Sequence, residues 1–215
     1  MGFLDRVWGA LRGAIPGLFR STLPAPPDWA AGRGRILLVG PTGAGKSALV
    51  NAVLGEEAAR SEAGAPVTAG TRWYGRESGL GLALGDTRGL EAAESAAQVA
   101  RLEAAIAEAG PARRPHLVWL VVNAEGGRAF AGEGTLAAFA EALRRVGIPF
   151  LVVLTHAEPG AEAHARLRAR VAEAMGDLPV IAVNTRPLLG EGGAVLLPAH
   201  GLQELLTASR PFLPG

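Results

Sequence analysis

Eight residues carry the densest chemistry in the chain: Gly40-Pro41-Thr42-Gly43-Ala44-Gly45-Lys46-Ser47, in the form GxxxxGK[ST]. Glycines at these places let backbone N–H groups curl around a phosphate without Cβ obstruction. A helix beginning at Lys46 and running through Ala48 presents free amides and a positive dipole end to the same phosphate. Lys46 would reach the β- and γ-phosphates as a compact charge, and the Ser47 hydroxyl would ligate Mg2+. Composition adds an independent argument. Of 21 basic residues, Lys46 is the sole lysine; arginine serves everywhere except where a wide guanidinium would crowd the loop.

A second group, Asp86-Thr87-Arg88-Gly89, has the form DxxG. A carboxylate there can hold Mg2+ through water, and the Gly89 amide can meet the γ-phosphate. Between the two motifs, residues 56–72 are polar, rich in small residues and read as a loop holding Thr68 and Thr71. A loop threonine that reaches Mg2+ and the γ-phosphate is what a nucleotide-sensing switch needs. Thr71 is the favoured of the two, with Thr68 the alternative.

These groups need a frame. Short apolar runs at 36–39, 80–84, 117–122, 150–154 and 180–183 read as strands buried on both faces, with a weaker one at 72–75. Helical stretches are expected at 46–54, 91–109, 134–146, 161–175 and 202–209. Strand and helix alternating in this way predict an α/β fold with a mostly parallel sheet. Residues 188–200, glycine-rich and apolar, read as a loop. Residues 1–22 read as an amphipathic helical leader, with Phe3, Trp8 and Phe19 expected opposite arginines, and 23–34 as a proline-rich linker. The remaining domain is 35–215.

Composition sets outer bounds. Hydrophobic residues make up 49% and charged residues 19%, as in a globular protein. A net charge of +1 gives no electrostatic case for a nucleic-acid partner. The absence of cysteine excludes disulfides and thiolate metal sites and suits a reducing cytosol. No apolar run approaches the ~18 residues that a membrane-spanning helix needs. His116, His156, His164 and His200 lack metal-ligand spacing and read as structural or exposed.

Over residues 35–209 the chain resembles the Era-like and related translation-factor-class (TRAFAC) P-loop GTPases, including those labelled 50S-ribosome-binding GTPases. The likeness rests on GPTGAGKS, VTAGTR, DTRGLE, LVVLTHAE and Gly201-Leu202-Gln203-Glu204-Leu205-Leu206. It implies a three-layer G domain with a six-stranded sheet, the strand at 72–75 antiparallel, and a GTP-on, GDP-off switch. Where such proteins read guanine with N/T-K-x-D, this chain has Thr155-His156-Ala157-Glu158. Glu158 would take the place of the aspartate that accepts from guanine, and His156 would stack where the lysine stem lies. The final base contact, a backbone amide in the family, falls at Asn184-Thr185. The family's water-orienting glutamine is replaced by Leu90, and the asparagine that recruits K+ in some members is replaced by Gly43.

The resemblance therefore implies slow GTP hydrolysis, stimulated by an activating protein or by a homodimer across the nucleotide face. Arg88 and Arg128 are candidate supplied arginines, although a solvated surface role is the simpler reading of each. Two rival functions stand beside it: an ATP-dependent P-loop kinase or ATPase, and a non-catalytic nucleotide-binding scaffold. The expected location is cytoplasmic. The leader either docks on protein or lies at the inner membrane face through residues 3–19.

Overall fold

The computed structural model describes residues 26–55, 71–87, 113–125, 133–159, 164–176 and 178–214. Six strands form one sheet: β1 (Gly34–Val39), β2 (Thr71–Tyr74), β3 (Leu82–Thr87), β4 (Leu117–Asn123), β5 (Phe150–Thr155) and β6 (Val180–Val183). Their order is β2-β3-β1-β4-β5-β6, with β2 antiparallel to β3 and every other pairing parallel. Four helices accompany them among the described residues: α1 (Lys46–Leu54), α2 (Glu133–Arg145), α3 (Ala165–Met175) and α4 (Leu202–Ser209).

The continuous apolar runs become strands because both faces of the sheet are covered. Along β1, Leu37 and Val39 face one core while Ile36 and Leu38 face the other. In β4, Val118, Leu120 and Val122 alternate in the same way with Leu117, Trp119 and Val121. Leu143 of α2 and Val171 and Met175 of α3 close the first face. Leu49, Val50 and Val53 of α1 and Leu205 of α4 close the second. This is the three-layer arrangement expected from the sequence. Trp119, fully buried, donates its indole N–H to Ser209 Oγ at 3.0 Å, and Ser209 donates to Leu205 O at 2.7 Å, fastening α4 to the sheet.

Differences from the sequence reading fall at strand ends, at residues 188–200 and at the linker. The strand expected at 80–84 runs instead from Leu82 to Thr87, so Asp86 and Thr87 lie within it rather than after it. Leu80 is 55% exposed and precedes the strand. Gly85 does not break β3, because its missing side chain makes room for Leu37 and Trp73; a Cβ there would sit 3.0–3.1 Å from them. The weak strand starts at Thr71, which is therefore a ladder residue and not a loop residue.

The second difference concerns residues 188–200, which form a two-stranded hairpin, β7 (Leu188–Leu189) with β8 (Val195–Leu197), instead of an irregular loop. Gly192 and Gly193, both at positive φ, turn it. The third is at the linker. Residues expected to belong to a connector are packed on the domain: Ala30 is fully buried and Trp29 packs against the first core. Arg33 lies 5.7 Å over the Trp29 ring and donates to the carbonyls of Gly75, Arg76 and Ser78. The leader at 1–22 and the helix expected at 91–109 lie outside the described residues.

Candidate nucleotide-binding site

The strand order reverses at β1, whose neighbours are β3 on one side and β4 on the other. Open α/β sheets bind ligands beyond the carboxyl ends of their strands at such a point. The Gly40–Ser47 loop leaves β1 there and opens α1, as its residue types require. A Cβ on Gly40 would fall 2.1 Å from Val121 O, so the loop passes β4 at a distance only glycine permits. Gly45, the residue before α1, has φ +86, the left-handed region that L side chains rarely adopt.

Lys46 is buried at the first turn of α1, and its Nζ donates to the carbonyls of Gly40 and Pro41, both at 2.9 Å. The lysine thus closes the mouth of the loop on itself, with its charge held at the place the motif assigns to phosphate. Ser47 Oγ donates to Asp86 Oδ2 at 2.7 Å. The two motifs, 39 residues apart, therefore meet. Parallel pairing of Leu38 with Asp86 brings them together, and Thr87 Oγ1 reinforces it by donating to Leu38 O at 2.8 Å.

Asp86 Oδ1 is buried and has no hydrogen-bond partner among the described residues. Burial raises the Asp86 pKa, and the Ser47 hydrogen bond and the Lys46 and Arg72 charges pull it back only in part. Arg72 stands directly opposite on β2. An orphaned carboxylate oxygen beside a serine hydroxyl is a hard, all-oxygen donor set, which fits Mg2+. No cluster of three or more His, Cys, Asp or Glu that could hold a metal occurs among the described residues.

At the far side of the loop, Thr155 at the end of β5 is buried, and its hydroxyl is 2.7 Å from Ala44 O and 3.2 Å from Val122 O. The side chain of Thr155 thus braces the phosphate loop from the end of β5. Asn184, at the end of β6, is engaged within the protein. Its backbone N–H goes to His200 O at 3.0 Å, and its side-chain amide to Arg186 O at 2.7 Å and Pro198 O at 3.3 Å. Asn184 therefore anchors the β7–β8 hairpin, and Thr185 is the next backbone donor in line.

His156 adopts φ +53 and is exposed, as is Glu158, while Ala157 between them is fully buried. The peptide joining Ala157 to Glu158 is held at both ends by imidazoles: His200 Nε2 lies 2.7 Å from Ala157 O, and Glu158 N–H donates to His164 Nε2 at 3.0 Å. Sequence reasoning missed this pair. Their partners are backbone groups, so no side-chain spacing betrays them. Of the other expected site residues, Thr68 and Gly89 lie outside the described residues, as do Arg88, Leu90 and Arg128.

The AIG1 family model matches residues 34–163, more than half of the chain. The chain belongs to the AIG1 family. The matched stretch contains the phosphate loop, Asp86 and the Thr155–Glu158 segment. Among solved structures, a probable GTP-binding protein, engB, is 13% identical with a TM-score of 0.51, covering 83% of this chain and 97% of its own. At that identity the likeness shows the fold alone, that of a P-loop GTPase G domain. The FeoB G-domain from Methanococcus jannaschii matches at 18% identity and a TM-score of 0.44, over 84% of this chain and 97% of its own. Era from Aquifex aeolicus, bound to GDP and AlF4−, matches at 14% and 0.48, over 86% of this chain and 58% of its own. No curated protein matches the sequence. Among the described residues, no helix is long and apolar enough to cross a membrane.

Proposed function

We propose that this AIG1-family chain binds GTP with Mg2+ at the Gly40–Ser47 loop and hydrolyses it slowly to GDP and phosphate, serving as a nucleotide switch. The observation that carries this reading is the 2.7 Å Ser47–Asp86 hydrogen bond beside the buried Lys46. It joins the phosphate loop to the DxxG carboxylate, whose second oxygen is buried without a hydrogen-bond partner among the described residues. A Mg2+ held by Ser47, and by Asp86 through water, would neutralise charge on the β- and γ-phosphates.

The chain's own residues do the rest. Backbone amides from Gly43 to Ala48, with Pro41 and Thr42 in the loop, cradle the phosphates. Lys46 exchanges its carbonyl partners for phosphate oxygens and stabilises charge as the bond to the γ-phosphoryl group breaks. The Gly89 amide meets the γ-phosphate. Thr68 becomes the better switch threonine and metal ligand, because Thr71 is buried in the ladder opposite Thr87. His156, Glu158 and the Thr185 amide contact the base. With Leu90 at the water-orienting place, turnover waits on an activating protein or a second copy across the nucleotide face. We place the chain in the cytoplasm, with its leader docked on protein or at the inner membrane face.

The rival is an ATP-dependent kinase or ATPase on the same loop. Phosphate release measured with GTP and ATP side by side, Lys46→Ala as control, separates the two. GTP turnover above ATP turnover, lost in the variant, is expected. Faster ATP turnover would reverse the assignment.

A further inference from the structure

The Ala157–Glu158 peptide is fixed more heavily than a surface loop requires. Its carbonyl faces His200 Nε2 at 2.7 Å, so that ring must carry its proton on Nε2. Its N–H donates to His164 Nε2 at 3.0 Å, so that ring must carry a lone pair on Nε2. Two histidines in opposite tautomers therefore grip the two ends of one peptide group, from two different elements.

Each histidine is itself held in place. His200 exchanges both backbone hydrogen bonds with Asn184 at 3.0 Å, which pins it to the end of β6. Gly201 follows so closely on β6 that a Cβ there would lie 1.9 Å from Ala182 O. His164 sits at the N-cap of α3 with φ +58. His156 and His164 are the non-glycine residues at positive φ among those described, and they bracket the gripped peptide on either side. Such backbone states persist only where the surroundings enforce them. Ala157, fully buried, stops the peptide from swinging outward.

We infer that His164 and His200 form a clamp that orients Glu158 toward the nucleobase and so sets how long a guanine nucleotide stays bound. Both are positioning residues, since neither needs to touch the ligand. The clamp also explains how a glutamate, one methylene longer than an aspartate, can serve at this place: the peptide that launches it is locked. The inference rests on the guanine-nucleotide reading above.

The test is the dissociation rate of N-methylanthraniloyl-GDP from the full chain with Mg2+ present. His200→Ala removes the donor and His164→Leu the acceptor, acting on opposite ends of the same peptide. Each is expected to speed release ~10-fold or more, the scale of one net hydrogen bond to a charged or pre-organised site. His200→Gln and His164→Gln, which restore an amide donor or a carbonyl acceptor, are expected to return within ~3-fold of the parent. Displacement of the probe by inorganic tripolyphosphate reads the phosphate loop by itself, and its affinity for the free protein should be unchanged in all four. Parental release rates in His200→Ala and His164→Leu would overturn the clamp while leaving the function intact. So would loss of tripolyphosphate affinity in step with the nucleotide, which marks general structural damage. A parent chain that does not retain the probe overturns the guanine reading, and the clamp with it.

Discussion

Lys46 and Asp86 meet through different physics, and their substitutions should separate cleanly. Lys46 places a charge against two carbonyls at 2.9 Å and would trade them for phosphate oxygens. Lys46→Ala is expected to weaken nucleotide binding about 100-fold, the order of a lost pair of charge-assisted hydrogen bonds, as read by calorimetry. Asp86 is the opposite case. Its pKa is raised by burial, so ionising it costs the folded state at pH above the ordinary carboxylate range, and stability is regained as pH falls. Asp86→Asn removes that cost and keeps an acceptor for Ser47. The variant should melt higher than the parent without nucleotide at pH 7 and lose the extra stabilisation that nucleotide with Mg2+ gives. A lower melting temperature would contradict the burial argument. The phosphate loop was legible in sequence because its chemistry is local, glycine, lysine and serine within eight positions. The clamp histidines were not, because their partners are the two ends of a peptide.

The strands and helices followed from apolar runs, and their ends were less legible for a physical reason. The strand expected to stop at Leu84 runs on through Gly85, whose bare backbone in β3 admits Trp73 and Leu37. Asp28 to Gly34 reads as a connector, but Arg33 finds three carbonyls more than forty residues away, a pairing no local pattern announces. The hairpin of β7 and β8 escaped notice since Leu188, Leu189, Val195 and Leu196 are all more than half exposed, without the alternation that marks a half-buried strand. Two element-scale tests follow. Ser209→Ala leaves the buried Trp119 N–H without its partner and should cost about 1–3 kcal/mol, read as a lowered urea midpoint. Gly40→Ala drives a Cβ into Val121 O and should lower the melting temperature while also removing nucleotide binding; an unchanged melt would show that the loop can move off β4.

At the scale of the whole molecule, the sheet separates chemistry at one end from charge bookkeeping at the other. Arg35, buried at the start of β1, donates through Nε to Arg114 O at 2.9 Å, and its backbone N–H donates to His116 Nδ1 at 3.0 Å. Its guanidinium Nη2 lies 3.1 Å from His116 Nε2. Burial, and then the Arg35 charge, hold the His116 pKa below its ordinary value of about 6.5. A base whose pKa is depressed on folding contributes stability that is full above the unfolded value and is lost as pH falls through the folded one. The melting temperature should therefore drop between pH 7 and pH 5. His116→Asn, an uncharged acceptor, should flatten that drop, and an identical slope in the variant would assign it to other groups.

The central claim is that one loop, built around the lone lysine, holds a guanine nucleotide. Calorimetric titration of the parent chain with GDP and with ADP, both with Mg2+, tests it most directly. GDP binding at least ~10-fold tighter than ADP, and weakened about 100-fold by Lys46→Ala, is the expected result. Equal or tighter ADP binding, or undiminished GDP binding to Lys46→Ala, would contradict it.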